Sequence, residues 1–183
     1  MSLIILDRDG VINEDSDDYI KTAAEWVPIA GSLEAIAHFN HAGYSVAVAT
    51  NQSGIARGYY DLQTMHDMHK KMASMLDAIG GSVDAVFYCP HLPAARCSCR
   101  KPKPGMLLEI AKRFDYDSLE GVYFVGDTYR DVEAARAAGA VPVLVRTGKG
   151  IRTLEVCTDE QLDDVLVFND LLQVADELLE IQE

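Results

Sequence analysis

Two aspartates directly after an apolar segment are the first residues whose types and spacing suggest chemistry. The run Leu3–Leu6 is followed by Asp7 and Asp9, and then by Gly10. Such a run predicts a buried parallel strand, and open α/β sheets bind ligands beyond the carboxyl ends of their strands. Two carboxylates there can bind a cation, or act as a nucleophile and a general acid–base group. Asp and Gly also favour ordinary turns and helix caps, so this interpretation stays open for the pair alone.

Three more segments carry polar side chains at predicted strand ends or helix starts. Thr50 ends an apolar run and precedes Asn51, Gln52 and Ser53, whose amides and hydroxyl can hold phosphate oxygens. Lys101 precedes a helical pattern and can offset the charge of a transferring phosphoryl group. Asp127 can complete a site with Asp7, and Asp131 either supports that site or caps a helix. Taken alone, the segment at Thr50 is more often a polar turn, and the segment at Lys101 can be an ordinary basic loop.

Four residues that commonly ligate metals lie in one short segment. They are Cys89, His91, Cys97 and Cys99. Three thiolates and one imidazole match a closed tetrahedral zinc site, which is structural because no position remains for substrate or water. The alternative is a set of buried or free thiols. Cys157 lies far away in the sequence and needs no such role.

Six strands and five helices are predicted to position these residues. The strands are expected at Leu3–Asp7, Ser45–Thr50, Asp84–Cys89, Val122–Gly126, Val141–Arg146 and Val165–Phe168. The helices are expected at Ser32–Ala42, Asp61–Ile79, Pro104–Arg113, Arg130–Ala138 and Asp170–Ile181, with Ser32 as an N-terminal cap. Their alternation predicts an α/β fold, a Rossmann-like and mainly parallel sheet with helices on both faces. Residues 1–183 are expected to form one domain with a minimal cap and a zinc loop at 89–99.

Composition narrows the class of protein. The chain has 183 residues and a formal net charge of −13, which argues against broad binding to nucleic acid or to anionic membranes. No apolar run approaches the roughly 20 residues that span a bilayer, and no signal peptide is evident, so a cytoplasmic protein is expected. The methionines of the second helix are expected in the core, and His66 and His69 are expected at the surface. Oligomeric state is left open, and a monomer is compatible with the sequence.

The ordered set of motifs resembles the haloacid dehalogenase superfamily of phosphatases. The resemblance rests on DxD at Asp7 and Asp9, on the strand-end Thr50, on Lys101, and on GDxxxD at Asp127 and Asp131. It implies that Asp7 is the nucleophile and that Asp9 is the acid–base group, with a pKa raised relative to that of Asp7. Thr50 and Lys101 would bind the phosphoryl group. Mg²⁺ would be held by the Asp7 carboxylate, the Asp9 carbonyl and Asp127, with Asp131 in support.

Within that superfamily, the segments DRDG, TNQSGIARG, CPH and CxCRKPxPGM resemble the branch of heptose bisphosphate and histidinol-phosphate phosphatases. The resemblance implies hydrolysis of the 7-phosphate of a heptose 1,7-bisphosphate, in the supply of nucleotide-activated heptose for surface polysaccharide. It also implies a substrate site at Asp15, Ser16, Tyr19, Thr50, Asn51, Gln52, Ser53, Arg100 and Lys101. Thr128 is a departure, because lysine is common there in the heptose enzymes. Histidinol phosphate remains the alternative substrate, and a phosphoryl-switch module resembling a receiver domain is the alternative of another class.

Overall fold

The computed structural model describes residues 2–180 and shows a six-stranded parallel sheet in the order β3-β2-β1-β4-β5-β6. The strands are β1 (Ser2–Leu6), β2 (Tyr44–Asn51), β3 (Ala85–Cys89), β4 (Tyr123–Gly126), β5 (Val141–Val145) and β6 (Leu166–Phe168). The helices within these residues are α1 (Ser32–His41), α2 (Leu62–Asp77), α3 (Gly105–Arg113), α4 (Tyr129–Ala138), α5 (Gly150–Val156) and α6 (Leu171–Glu180). Short 3₁₀ turns occupy Pro93–Ala95 and Asp159–Gln161.

Strand β1 is buried on both faces, which explains its unbroken apolar run. Ile4 and Leu6 pack into the core on one face of the sheet, together with residues of α1, α2 and α6. Leu3 and Ile5 point the other way and pack against residues of α3 and α4. Because successive strand side chains alternate between faces, a strand covered on both sides must be apolar throughout. The predicted sheet with helices on both faces is confirmed.

The order of the strands fixes where a ligand site can form. After β1 the chain adds β2 and β3 on one side, and it then places β4 on the other side of β1. The connections therefore diverge between β1 and β4, which opens a crevice at the carboxyl ends of these two strands. Asp7 follows β1 and Asp127 follows β4, so both aspartates lie at this crevice.

The predicted elements are all present, with small shifts at their ends, and three details differ. Helix α5 was not predicted, because its seven residues follow a glycine-rich segment and show too little periodicity. Ser32 is not the cap of α1: Gly31 holds that position without a side-chain bond, and the Ser32 hydroxyl donates to the Val11 carbonyl at 2.7 Å. The predicted last helix was to end at Ile181, which lies outside the described residues.

The prediction for helix α2 was partly right. Met65, Met68 and Met72 are buried in the interior as expected, but the prediction is wrong for Met75, which is 36% exposed. His66 is exposed, but the prediction of a surface position is wrong for His69, which is partly buried with its Nε2 atom 3.2 Å from the Arg8 guanidinium. No helix within residues 2–180 is both long and apolar enough to cross a bilayer.

Candidate active site

Three aspartates and one lysine converge at the crevice between β1 and β4. The carboxylates of Asp7, Asp127 and Asp131 lie within 4.8 Å of one another, and all three residues are buried. The Lys101 Nζ atom lies 2.9 Å from Asp7 Oδ2 and 2.7 Å from Asp131 Oδ1. The sequence placed these residues at four separate positions, and the fold brings them together.

Charge in this cluster is unbalanced in a way that fits a divalent cation. Three ionised carboxylates against one ammonium group leave two negative charges buried, and burial opposes both of them. Burial and the neighbouring carboxylates raise the pKa of Asp7 to about 7 and that of Asp127 to about 8, and the Lys101 charge limits the rise at Asp7. Carboxylate oxygens are the ligands that Mg²⁺ prefers, so both the donor set and the missing charge suit this ion.

Asp131 serves two purposes, and both interpretations made from the sequence are compatible with its contacts. Its Oδ2 atom accepts the Thr128 backbone N–H at 3.0 Å and the Thr128 hydroxyl at 2.7 Å, which caps the start of α4. Its Oδ1 atom faces Lys101. Burial raises the pKa of the carboxyl group, but the Lys101 charge and the Thr128 bonds outweigh burial and lower it overall.

Asp9 points away from the cluster into a set of hydrogen-bond donors. Arg8 donates to both of its oxygens, at 2.8 Å and 3.1 Å from one nitrogen. The Asn13 and Gln52 side-chain amides each donate at 2.8 Å. Although burial acts to raise the pKa of Asp9, the Arg8 charge and these bonds lower it below its usual range. The predicted order of the Asp7 and Asp9 pKa values is therefore wrong for the ligand-free chain.

The residues after β2 organise the opposite wall of the site. The Asn51 amide makes a pair of 3.1 Å bonds with the backbone of Lys101, donating to its carbonyl and accepting its N–H. Gln52 donates to the Thr50 hydroxyl at 2.9 Å and accepts a hydrogen bond from Tyr60. Asn51 thus aligns the segment that carries the buried lysine, and Gln52 links Thr50 to Asp9.

Two glycines enclose Asp127 because larger residues would collide with it. A Cβ atom on Gly10 would lie 2.1 Å from Asp127 Oδ2, and one on Gly148 would lie 2.3 Å from the same oxygen. Both glycines have positive φ angles, which other residues adopt at a cost. The Lys149 backbone N–H donates to that oxygen at 2.8 Å, so one oxygen of Asp127 is fixed and the carboxylate plane is set.

A polar cavity of about 340 Å³ opens above these residues. Its lining includes every side chain predicted to bind substrate: Asp15, Ser16, Tyr19, Thr50, Asn51, Gln52, Ser53, Arg100 and Lys101. Sequence reasoning missed several other lining residues, among them Arg57, Tyr60, Arg130 and Lys149. Arg57 stands in the same TNQSGIARG segment as Thr50, and Arg130 within GDxxxD, so both motifs contained a signal. Lys149 lies in the glycine-rich segment before α5, and that segment belongs to no motif that would have pointed to the site.

The segment 14–20 forms one side of the cavity mouth and is held by ion pairs. Lys149 Nζ lies 2.8 Å from Asp15 and 3.6 Å from Asp17. Tyr19 adopts a left-handed backbone with φ of 66°, and its ring packs edge-on against Tyr59 with centroids 5.1 Å apart. Segment 14–20, Pro93 of the 89–99 loop and Arg100 directly after that loop all contribute to the lining of the cavity.

The cysteine and histidine side chains of the zinc loop form a compact cluster. Cys89 Sγ lies 3.5 Å from His91 Nδ1 and 3.6 Å from Cys97 Sγ, and Cys99 Sγ lies 3.4 Å from His91 Nδ1. Four ligands around tetrahedral zinc, with Zn–S bonds near 2.3 Å, stand roughly 3.8 Å apart. The measured separations are close to this value, so the predicted ligand set is spatially compatible with zinc. All four cysteines of the chain are free thiols, so none of the ligands is tied up in a disulfide.

The zinc loop is hydrogen-bonded to the segment 100–103, which carries Lys101. The Arg100 guanidinium donates to the His91 carbonyl at 3.3 Å. Lys103 Nζ donates to the carbonyls of Arg96 and Cys97 at 3.0 Å and 2.9 Å. Since Lys101 lies between these two anchored residues, the loop's conformation determines where the buried lysine is presented.

Comparisons with known proteins agree with this geometry. A D-glycero-β-D-manno-heptose-1,7-bisphosphate 7-phosphatase from Pseudomonas putida is 58% identical over 179 residues, which cover 98% of this chain and 100% of that protein. The D,D-heptose 1,7-bisphosphate phosphatase of Bordetella bronchiseptica, solved with magnesium and phosphate, superposes with a TM-score of 0.94. It is 49% identical, and the match covers 99% of both chains. The chain belongs to the heptose 1,7-bisphosphate 7-phosphatase family.

Two further matches extend this assignment. The heptose bisphosphate phosphatase of Burkholderia thailandensis is 41% identical and superposes with a TM-score of 0.76, covering 98% of this chain and 99% of that one. A HAD-hydrolase-like family model matches residues 98–174, which include Lys101, Asp127 and Asp131. The heptose bisphosphate phosphatase family therefore accounts for the sequence along almost its whole length, and the predicted superfamily and branch are confirmed.

Proposed function

We propose that this chain removes the 7-phosphate from D-glycero-β-D-manno-heptose 1,7-bisphosphate through an aspartyl-phosphate formed on Asp7. The observation that carries the proposal is the buried cluster of Asp7, Asp127, Asp131 and Lys101 at the base of a polar cavity. The cavity's size lies at the lower end of the range for small-molecule sites. The β anomer follows from the names of the related enzymes.

In the first step, a carboxylate oxygen of Asp7 attacks the phosphorus atom and the bond from phosphorus to the C7 oxygen breaks. Asp9 gives a proton to the departing alkoxide, which leaves as an alcohol. Lys101 offsets the negative charge on the transferring phosphoryl group. Thr50, whose hydroxyl lies beside Gln52, is proposed to bind a phosphoryl oxygen together with backbone N–H groups of the same turn.

In the second step, water attacks the aspartyl-phosphate, Asp9 takes its proton, and phosphate leaves with Asp7 restored. Asp9 must therefore be protonated before the first step, although its surroundings lower its pKa in the ligand-free chain. A bound phosphate group provides the opposing influence, because a nearby negative charge favours the protonated acid. The Arg8, Asn13 and Gln52 bonds would then hold the acid in place until the leaving oxygen arrives.

Two metals are part of the proposal. The carboxylates of Asp7 and Asp127 and the Asp9 backbone carbonyl would hold Mg²⁺, with Asp131 in support; when bound, Mg²⁺ neutralises charge and orients the phosphoryl group. A structural zinc ion would be held by Cys89, His91, Cys97 and Cys99 and would stabilise the loop around Lys101.

The clustered free thiols suit a reducing compartment, and we propose a cytoplasmic enzyme in the supply of activated heptose for surface polysaccharide.

A competitive substrate panel tests this function. Purified protein is incubated with Mg²⁺ and either anomer of the heptose bisphosphate or histidinol phosphate, and phosphate release is measured. We expect the highest kcat/KM for the β anomer and no turnover by Asp7→Asn. Faster hydrolysis of histidinol phosphate would reassign the substrate. A stable phosphoryl-aspartate without turnover of any ester would indicate a phosphoryl switch instead.

A further inference from the structure

Arg8 is a fully buried charged residue whose guanidinium contacts two different parts of the fold. It has 0% exposure. Its Nε and one terminal nitrogen donate to Asp9 Oδ1 at 3.0 Å and 2.8 Å, in a fork that holds the carboxylate. Its other terminal nitrogen faces α2, where it lies 3.2 Å from His69 Nε2 and 3.8 Å from Met68 Sδ. The guanidinium thus joins Asp9 to helix α2.

The chemistry of this contact defines the state of His69. A guanidinium has donors but no acceptor, so His69 Nε2 must accept the hydrogen bond, and the imidazole is neutral with its proton on Nδ1. A neutral ring agrees with its surroundings, since burial, the Arg8 charge and His66 lower the pKa of His69 to about 4. His69 is therefore an acceptor for Arg8 throughout the neutral pH range.

We propose that His69 is a positioning residue for the acid–base group, acting on Asp9 through Arg8. The inference rests on the acid–base role proposed above for Asp9. A planar guanidinium has fixed directions for its five N–H groups, so an acceptor on the α2 side fixes the plane of the fork on the Asp9 side. Without His69, one arm of Arg8 is left facing a thioether, which is a weak acceptor, and the fork can rotate away from the carboxylate.

The test uses the leaving group, because protonation matters only when the alcohol is a poor leaving group. The 7-hydroxyl of a heptose must be protonated as it departs, whereas p-nitrophenolate leaves without a proton. For each variant, kcat/KM is measured with the heptose bisphosphate and with p-nitrophenyl phosphate, both in saturating Mg²⁺. Each kcat/KM value reports the steps up to formation of the aspartyl-phosphate. Comparing the two substrates separates a loss of acid positioning from a loss of folding or of phosphate binding.

His69→Ala is expected to lower kcat/KM for the heptose bisphosphate by about tenfold, the scale of one hydrogen bond to a charged group, and to spare p-nitrophenyl phosphate. His69→Gln offers an amide oxygen to Arg8 and is expected to recover most of the loss. His66→Ala, which lies on the same helix at an exposed position, is the matched control and is expected to match wild type with both substrates. His69→Leu has no acceptor but retains apolar bulk, and it gives the same test if His69→Ala does not fold.

Asp9→Asn provides the reference for losing the acid altogether, with an expected loss of about 10²- to 10⁴-fold that is confined mainly to the heptose bisphosphate. If Asp9→Asn lowers both substrates equally, the acid role of Asp9 fails and the proposed function needs revision. If Asp9→Asn shows the dependence on leaving group but His69→Ala lowers both substrates equally, or neither, then His69 does not position the acid. The two failures are thus distinguishable.

Discussion

Lys101→Met is expected to destabilise the metal-free protein strongly, because Lys101 balances two buried carboxylates. Its Nζ atom is 2.9 Å from Asp7 and 2.7 Å from Asp131, and the residue is 2% exposed. Methionine has a similar length and fills the same space without charge. The substitution therefore isolates the electrostatic contribution from the packing contribution.

The size of the effect follows from what remains after the lysine is removed. Asp7, Asp127 and Asp131 would then share a buried site with no cation. Removing one partner of a buried ion pair typically costs about 3–5 kcal/mol. For a chain of this length, that loss corresponds to a fall in Tm of about 10 °C. The loss is expected to be larger at about pH 8 than at about pH 6, because the pKa values of Asp7 and Asp127 are raised to about 7 and about 8, and protonation relieves the repulsion.

Urea unfolding followed by circular dichroism measures this effect, with EDTA present so that Mg²⁺ cannot replace the lost charge. The matched variant is Lys101→Met with Asp131→Asn, which removes one carboxylate charge while keeping an oxygen that can accept from Thr128. We expect the double variant to recover at least about 1 kcal/mol of the loss, as coupled neighbours do in a double-mutant cycle. Adding Mg²⁺ is expected to stabilise Lys101→Met more than wild type.

A small effect would refute the reasoning. If Lys101→Met in EDTA at about pH 8 lies within about 1 kcal/mol of wild type, the carboxylates are not jointly ionised around the lysine. If the loss is large but Asp131→Asn recovers none of it, the cost comes from packing. In either case the argument that the cluster lacks two positive charges would fail, and with it the electrostatic case for Mg²⁺.

Three further outcomes are expected. The raised pKa values of Asp7 (about 7) and Asp127 (about 8) keep both acids protonated in the folded chain at about pH 5 to 6.5, where they are ionised in the unfolded chain. The lowered pKa of His69 (about 4) has the opposite effect but offsets only one of these protons, so wild-type stability in EDTA should fall from about pH 5 to about pH 6.5; flat urea midpoints would contradict this. Cys97→Ser should lower bound zinc, measured by atomic emission, together with Tm, whereas Cys157→Ser should alter neither. Gly148→Ala, with φ of 57° and a Cβ 2.3 Å from Asp127 Oδ2, should raise the Mg²⁺ concentration needed for activity by tenfold or more, on the order of the cost of a displaced ligand. Gly43→Ala, with φ of 83° and open space around it, should not, and equal effects of the two would attribute the change to backbone strain.

The sequence predicted the sheet and the location of the site because both depend on local patterns. A parallel strand that is buried on both faces must be a continuous apolar run, and Leu3–Leu6 shows that run directly. Asp7 and Asp127 each follow such a run. Because β1 and β4 are parallel neighbours, their carboxyl ends lie side by side and bring the two aspartates together. The clustering of Cys89, His91, Cys97 and Cys99 could be predicted for a similar reason, because all four residues lie in one short segment.

Other features could not be predicted because they depend on the direction of side chains. Nothing local shows that Arg8 turns towards Asp9 and lowers its pKa rather than leaving it raised. His69 has the spacing of a surface residue, and only the tertiary packing of α2 places it beside Arg8. Lys149 reaches the segment near Asp15 from a distant part of the chain, a proximity that no motif encodes.

The cations at the cavity also determine how an anionic substrate arrives. The chain carries a net charge of −13, yet Arg57, Arg100 and Arg130 line the cavity, and none forms an ion pair with a carboxylate among residues 2–180. A bisphosphate approaching from a distance therefore meets repulsion, and only near the mouth does it meet attraction. Dissolved ions shorten the range of both, with a screening length of about 8 Å at physiological ionic strength. Moderate salt thus suppresses the distant repulsion first, so the encounter rate should pass through a maximum at intermediate ionic strength.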